Sequence, residues 1–269
     1  MNSLNKSKTY KYFLKSKKLS LKWDTYFEVY DKIFSPYKNK EIKFVEIGAA
    51  NGGSLLMWKK FFSKKSKIIG IDANPESKKL EKLGFKIYIG DQSDPKFWKN
   101  FFKKEKSVDI ILDDGGHKNI QQISTIHYCL SHIKNGGLLV VEDTATSYLK
   151  REFNNPSKYS FINYCNKVIE YINYRSGLIR KNLNKYSKRI YSISFYESIV
   201  VFNIDSKKCI KSKSITNKAK SPHMSDFRHD NNLKSLRLFF SKHLKFINKS
   251  KLYNKLERKL FYRNLFVNY

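Results

Sequence analysis

The sequence predicts an α/β fold: a doubly wound sheet of seven strands, parallel except at one edge, where an antiparallel hairpin completes it. Three observations predict it. Short apolar runs alternate with helical patterns through five βα units between residues 43 and 141, the pattern of a parallel sheet with right-handed crossovers. Each run stops abruptly at glycine or acidic residues, as strands do when they deliver side chains to the carboxyl edge where open α/β sheets hold ligands. After a helical interruption, two β runs flank the tight connection Tyr196-Glu197, a hairpin signal.

The elements follow in order. Residues 1–20 read as a basic arm with a helix between residues 10 and 19. Residues 21–34 carry Leu21, Trp23, Phe27, Tyr30 and Phe34 near a helical period, and Pro36 ends that helix. It precedes the first strand and is placed to cover the mouth of a site. Residues 43–47 form the first strand, followed by the glycine turn 48–54 and a helix to residue 62. The second strand, 67–71, ends in Asp72. Asn74-Pro75 starts the next helix, with Asn74 as cap. The third strand, 85–89, ends in Gly90-Asp91-Gln92, and Ser93-Asp94-Pro95 opens a helix to about residue 104. The fourth strand runs through Ile110-Ile111-Leu112 into Asp113-Asp114-Gly115-Gly116-His117, before a helix over 119–133. The fifth, 138–141, ends in Glu142-Asp143. Residues 146–188 form a helical insertion beside the site, with a helix over 160–179. The hairpin strands are 190–195 and 198–204. Three regions result: a basic N-terminal arm and covering helix (1–40), a catalytic domain (41–205) and a basic helical extension (206–269).

Composition bounds the function. The formal net charge is +31, unevenly spread: residues 206–269 hold 17 Lys and Arg against 3 Asp and Glu, whereas residues 41–145 hold 17 against 13. Basic flanks suit an anionic partner, namely a membrane surface, nucleic acid or acidic glycan. They equally fit a lysine-rich compositional habit. No apolar run reaches the length of a membrane span, and no apolar stretch follows the lysine-rich N-terminus to make a secretory leader. Cys129, Cys165 and Cys209 lie far apart without metal-type spacing. They read as free thiols in a reducing compartment, so the expected location is cytoplasmic, with peripheral membrane contact through the basic termini. The two amphipathic helices expected after residue 232 would pack on the domain, in a homo-oligomer, or on such a membrane.

The strand ends carry the chemistry. Glu46-Ile47-Gly48 through Gly52-Gly53-Ser54 is a strand–turn–helix unit without the Lys-Ser/Thr of a P-loop and without dinucleotide glycine spacing. An acid before the turn suits a ligand with a cationic amino-acid end, and the glycines allow close backbone approach. Asp72, at the next strand end, can chelate ribose hydroxyls. Asp91 can accept from an adenine amine. Together these describe S-adenosylmethionine. Asp113, Asp114, Glu142, Asp143 and His117 would converge in one crevice, where four carboxylates repel one another unless a cation or protons intervene.

These motifs carry a resemblance. They are joined by Lys22-Trp23-Asp24-Thr25-Tyr26-Phe27, Met57-Trp58-Lys59, Gly70-Ile71-Asp72, Gly90-Asp91-Gln92-Ser93-Asp94-Pro95, Val141-Glu142-Asp143-Thr144 and Phe195-Tyr196-Glu197-Ser198. From about residue 20 to 204 the chain resembles the class I S-adenosylmethionine-dependent methyltransferases. More narrowly, it resembles the Mg²⁺-dependent sugar O-methyltransferases that act on macrolide deoxysugars and in polysaccharide clusters. The resemblance implies a Rossmann-like seven-stranded methyltransferase sheet. It implies cofactor contacts from Glu46, Asp72, Asp91 and Gln92, with Gly48, Asn51, Gly52 and Ser54 of the turn and Asp113 beside them. It implies Mg²⁺ ligation by Asp114, Glu142 and Asp143, with His117 as base working with Asp114. Gly116 stands where a serine is common, and the large N-terminal domain of the macrolide enzymes is absent.

The chemistry is coherent. Hard oxygen donors suit Mg²⁺, which can chelate a sugar diol and lower a hydroxyl's pKa, while a nearby imidazole takes the proton. The expected activity is O-methylation of a sugar hydroxyl on a glycan or glycosylated metabolite. Two alternatives compete: nucleic-acid methylation using the basic flanks, which lacks the Asn-Pro-Pro-aromatic motif of base amino-methylation, and a non-enzymatic, membrane-docking protein that keeps the fold. Residue by residue, His117 could instead be an orienting partner, Trp23 and Tyr26 could be plain core, Tyr148 could contact acceptor or simply pack, and His127 and His132 read as structural.

Overall fold

The structure is a computed structural model, described here over residues 3–149, 157–218 and 220. Contacts divide the chain into compact units over 1–214 and 215–269, and the expected helices beyond residue 232 lie outside the described residues. Seven strands form one sheet in the order β3-β2-β1-β4-β5-β7-β6. They are β1 (Lys43–Ile47), β2 (Lys67–Asp72), β3 (Lys86–Ile89), β4 (Val108–Asp113), β5 (Ile133–Val141), β6 (Ile190–Tyr196) and β7 (Ile199–Ile204). All neighbours are parallel except β5–β7 and β6–β7. The helices are α1 (Lys8–Leu14), α2 (Tyr26–Phe34), α3 (Gly53–Phe61), α4 (Pro95–Glu105), α5 (Asn119–Cys129) and α6 (Phe161–Asn173). Among the described residues, no helix is long and apolar enough to cross a membrane.

The two-residue period of a strand explains the layers. Phe44, Ile110, Leu112, Leu138, Val140 and Val201 face one side, with α2 and α3. Their chain neighbours Val45, Ile111, Leu139, Val141 and Val200 face the other, with α4, α5 and α6. Both faces are covered, so the central strands are continuous apolar runs rather than alternating ones.

Several expected boundaries move. Residues 3–20 are no free arm: Leu4, Tyr10, Tyr12 and Phe13 pack on the core, the backbone amides of Lys8 and Thr9 donate to Asp31 (2.7 and 3.0 Å), and α1 stops at Leu14. The helix expected from residue 21 starts at Tyr26, because residues 21–25 leave the helical path to enter the site. The segment Pro75–Leu83 is capped by Asn74 as expected but winds as a 3₁₀-helix. β5 begins at Ile133, five residues early, because Val108 pairs with Ile133 before a register shift. α6 ends at Asn173 rather than near 179. Just beyond it, the Arg175 guanidinium turns back to donate to the carbonyls of Ile190 (3.0 Å) and Tyr191 (2.8 Å) on β6.

One buried acid ties the sheet's lower edge to α4. Glu105 accepts from Lys86 Nζ (2.6 Å), the Tyr88 hydroxyl (2.6 Å) and Lys43 Nζ (2.9 Å). Burial alone would raise its pKa, but these three donors outweigh it and hold the carboxyl at about 2, against an ordinary value of 4.5. A depressed folded-state pKa gives stability that is present above the unfolded value and is lost as pH falls toward the folded one. Glu105→Gln is therefore expected to lower stability by on the order of 2 kcal/mol at neutral pH. The deficit should shrink between pH 4.5 and 2 in thermal melts, and a pH-independent deficit would contradict this account.

Candidate active site

The strand order reverses between β1 and β4, which opens a crevice at their carboxyl ends. Backbone hydrogen bonds carry the sheet register into the loops. Gly48 N donates to Ile71 O (2.8 Å), Asp114 N to Ile47 O (3.0 Å) and Glu142 N to Asp113 O (2.9 Å). The acids that follow β4 and β5 are thereby held side by side, as the sequence predicts.

The crevice is a cleft of about 550 Å³. Of the expected cofactor residues it is lined by Gly48, Asn51, Ser54, Asp72, Asp91 and Gln92, and at its other end by Asp114, His117 and Asp143. Asp72 already shapes the turn: its Oδ2 accepts from Ala50 N (2.7 Å) and its Oδ1 from Asn74 N (2.8 Å). Asp91 is exposed. Hydrogen bonds from the Ser93 amide and hydroxyl (2.7 Å each) hold its carboxyl below the usual range. It stays an anion and an acceptor.

Three expected cofactor residues do not reach the cleft. Glu46 is fully buried. It accepts from Ser54 Oγ (2.9 Å) and Trp58 Nε1 (3.2 Å), and burial first, then the Asp114 charge, raises its pKa to about 7 against the pull of Lys22. It braces the floor of the glycine turn from below. Gly52 is turned away, against Leu80. Asp113 is buried and takes both Gln92 Nε2 contacts (2.9 Å each). Gln92 Oε1 in turn accepts from Gly116 N (2.9 Å). Asp113 and Gln92 thus position the Asp114–His117 loop, and burial raises the Asp113 pKa.

The acid cluster differs from its expected form in one respect. Asp114, His117 and Asp143 each present a ligand atom within 4.8 Å of the others, and His117 Nε2 lies 3.4 Å from Asp143 Oδ2. Glu142, expected beside them, is fully buried with both oxygens engaged. Its Oε1 accepts from the Tyr30 hydroxyl (2.5 Å) and its Oε2 from Lys22 Nζ (2.7 Å). Lys22 Nζ also donates to Asp114 Oδ2 (2.5 Å). Burial pushes the Lys22 pKa down, but Asp114 and Glu142 more than reverse this, so the ammonium stays charged. Burial raises the Glu142 pKa, and the Lys22 ammonium offsets part of the rise.

Tyr26 and Tyr30 lie one turn apart on α2, so their phenols reach consecutive acids. The Tyr26 hydroxyl donates to Asp143 Oδ1 at 2.6 Å, where Trp23 Nε1 also donates at 3.2 Å. The motif around residue 22 therefore works in the site. Tyr26 is buried, while Trp23, weighed as core, is 61% exposed. Lys22 carries a role the sequence reading missed, since a bond spanning 92 or 120 residues leaves no local signal. Tyr148 is exposed. His132 stacks on Phe102 (3.9 Å between centroids) and His127 meets Lys185 (3.0 Å), and neither lines the cleft.

Ala50, His117 and Asp143 all take positive φ (42°, 55° and 53°) and all line the cleft. Strained backbone of this kind persists where the surroundings over-determine it and clusters at functional sites. The Asp114 and Asp143 carboxylates, with no sulfur donor lining the cleft beside them, fit a hard divalent cation.

Comparison with known proteins follows the same lines. No family model matches the chain. A 136-residue stretch is 36% identical to the demethylmacrocin O-methyltransferase of Streptomyces fradiae, covering 48% of this chain and 33% of that protein. The mycinamicin VI 2''-O-methyltransferase of Micromonospora griseorubida is 34% identical over 126 residues, 44% of this chain and 31% of that one. A rhamnosyl tetracenomycin-C 2'-O-methyltransferase of Streptomyces olivaceus is 34% identical over 136 residues, 47% and 35% of the two chains. The chain spans about a third of the length of these curated relatives. Among solved structures, the MycE methyltransferase of mycinamycin biosynthesis, in complex with Mg, SAH and mycinamycin VI, superposes with a TM-score of 0.64 at 24% identity, over 74% of this chain and 53% of that one. The chain has the Rossmann-like fold of the class I S-adenosylmethionine-dependent methyltransferases.

Proposed function

We propose that the chain transfers the methyl group of S-adenosylmethionine to a sugar hydroxyl on a glycan or glycosylated metabolite. One observation carries this reading. A single cleft runs from a nucleotide-type end, with Gly48, Asp72 and Asp91, to a polar end, with Asp114, His117 and Asp143. The relatives are O-methyltransferases, three of them named for mycinamicin or rhamnosyl-tetracenomycin substrates, which supports a glycosylated acceptor.

In this reading Asp72 takes the ribose hydroxyls and Asp91 the adenine amine, which directs the sulfonium at the polar end. The His117 imidazole accepts the acceptor's proton. The acceptor oxygen then bonds to the methyl carbon as the carbon–sulfur bond breaks, and sulfur keeps the electron pair to give S-adenosylhomocysteine. Asp114 and Asp143 would hold Mg²⁺, which when bound supplies charge that acidifies a sugar hydroxyl. Most of the rate gain comes from holding both reactants at attack distance.

Isothermal titration of the full chain with S-adenosylmethionine and S-adenosylhomocysteine, with Mg²⁺ and with EDTA, tests the reading. Binding of both with dissociation constants in roughly the micromolar range, about −8 kcal/mol, is expected. No heat from either compound under both conditions would overturn it.

A further inference from the structure

Lys22 sits where a cation belongs. Its ammonium bridges Asp114 Oδ2 (2.5 Å) and Glu142 Oε2 (2.7 Å), with its side chain 2% exposed, and lies 5.9 Å from the Tyr30 ring centroid. The segment that delivers it crosses the cofactor end of the cleft. Ser16 Oγ donates to the Gly53 carbonyl (2.9 Å), and the backbone of Lys18 and Leu19 passes so close that a Cβ on Gly53 would meet their carbonyl oxygens at 2.5 and 2.6 Å. Leu19, Ser20 and Leu21 line the cleft, yet the side chains of Leu19 and Leu21 are 78% and 86% exposed. Residues 16–22 are therefore a strap pinned at both ends. One pin is a single hydroxyl at the glycine turn. The other is the Lys22 ion pair, with Trp23 on Asp143 beside it.

We propose that Lys22 is a built-in competitor of the divalent cation, and that the strap is a latch which the cation releases. Asp114 belongs both to the Lys22 bridge and, with Asp143, to the carboxylate pair that would hold the cation. A divalent cation there would place two positively charged groups on one half-buried carboxylate, within a few ångströms of each other, where like charges are screened less than on the open surface. Occupancy by the metal expels the ammonium and frees the strap over the cofactor end. With the metal gone, Lys22 returns and keeps Glu142 from standing as a buried, unpaired charge. The latch thereby couples metal loading to access for the nucleotide end. This inference rests on the cation-assisted reading above.

The test compares the chain carrying Lys22 with its Lys22→Met variant, which keeps the apolar stem and removes the charge. Free Mn²⁺ is counted by electron paramagnetic resonance during titration. Removing the competitor is expected to tighten Mn²⁺ binding about tenfold or more. Equal or weaker binding in Lys22→Met would overturn the proposal. In case the variant does not fold, wild-type protein is digested with trypsin with and without saturating Mg²⁺. Cleavage after Lys22, mapped by mass spectrometry and normalised to the exposed Lys64 and Lys65 sites outside the strap, is expected to accelerate about fivefold or more with Mg²⁺, since cleavage of an opened segment follows its open population. An unchanged rate at saturating Mg²⁺ would overturn it. Failure of the latch with intact S-adenosylmethionine binding sinks this inference alone, whereas failure of cofactor binding sinks the methyltransferase reading and leaves the Mn²⁺ comparison to be judged on its own.

Discussion

Replacing His117 with asparagine is expected to slow methyl transfer by about 10²- to 10⁴-fold, the usual contribution of a positioned general base. Folding and cofactor affinity should be unchanged. Asparagine is the right substitute because His117 has φ 55°, a left-handed conformation that asparagine tolerates and alanine does not. The loop keeps its other tie, since the His117 carbonyl accepts from Thr146 Oγ1 at 2.9 Å. The imidazole points at Asp143, with Nε2 3.4 Å from Oδ2, so one face of the ring is oriented by the acid while the side chain stays partly open to the cleft. Single-turnover assays at saturating cofactor isolate the chemical step. A loss confined to kcat, with an unchanged dissociation constant for S-adenosylhomocysteine, is the signature of a group acting on the acceptor proton. A variant as active as the wild type would remove His117 from that role and leave it only as an orienting partner of Asp143.

Much of this architecture was legible because it repeats a simple physical pattern. A strand covered on both faces must be apolar at every position, and Phe44-Val45 and Ile110-Ile111-Leu112 are so throughout. Such a run can end only where polar groups reach solvent or a ligand, which placed Asp72, Asp91, Asp114 and Asp143 correctly at one edge. What sequence could not convey is which carboxylate oxygens are already taken. Glu46, Asp113 and Glu142 stand at the same strand ends as the acids that line the cleft, yet each is turned inward and satisfied, by Ser54 and Trp58, by Gln92, and by Tyr30 and Lys22 respectively. The last residue of a strand and the first beyond it point to opposite faces. Which of them meets solvent then depends on partners far away in the chain. The same distance effect misplaced the start of α2. Leu21 and Trp23 fit the helical period, but the pull of Asp114, Glu142 and Asp143 on Lys22 and Trp23 outweighs one additional helical turn, which is worth little in isolation.

Gly48→Ala is expected to abolish cofactor binding, with a fall in affinity of about a hundredfold or more, equivalent to roughly 3 kcal/mol. Gly48 has φ +88°, which no alanine adopts without strain. Conformation is the smaller problem. A Cβ at this position would lie 1.9 Å from the Asp114 carbonyl oxygen and 2.7 Å from its carbon, and both are backbone atoms that cannot swing aside. Relief would have to come from separating the first turn from the loop after β4. That separation would break the Asp114 N to Ile47 O bond (3.0 Å) and the Gly48 N to Ile71 O bond (2.8 Å), which hold the two walls of the cleft in register. The damage would thus reach both ends of the cleft at once, the nucleotide end through the turn and the polar end through Asp114. The sheet beneath should survive, because Phe44, Val45 and Ile111 are buried in the two extended core layers on either face of the sheet. Far-ultraviolet circular dichroism should therefore stay close to that of the wild type, while titration with S-adenosylhomocysteine gives little heat. Gly52→Ala is the informative control. It shares the positive φ, +80°, but its Cβ would meet only the flexible end of the Leu80 side chain, at 2.7 Å, outside the cleft. That variant should lose stability, by about 1 kcal/mol or more from backbone strain, and still bind the cofactor. Equal loss of binding in both variants would show that turn conformation, rather than the approach of the two walls, governs the site.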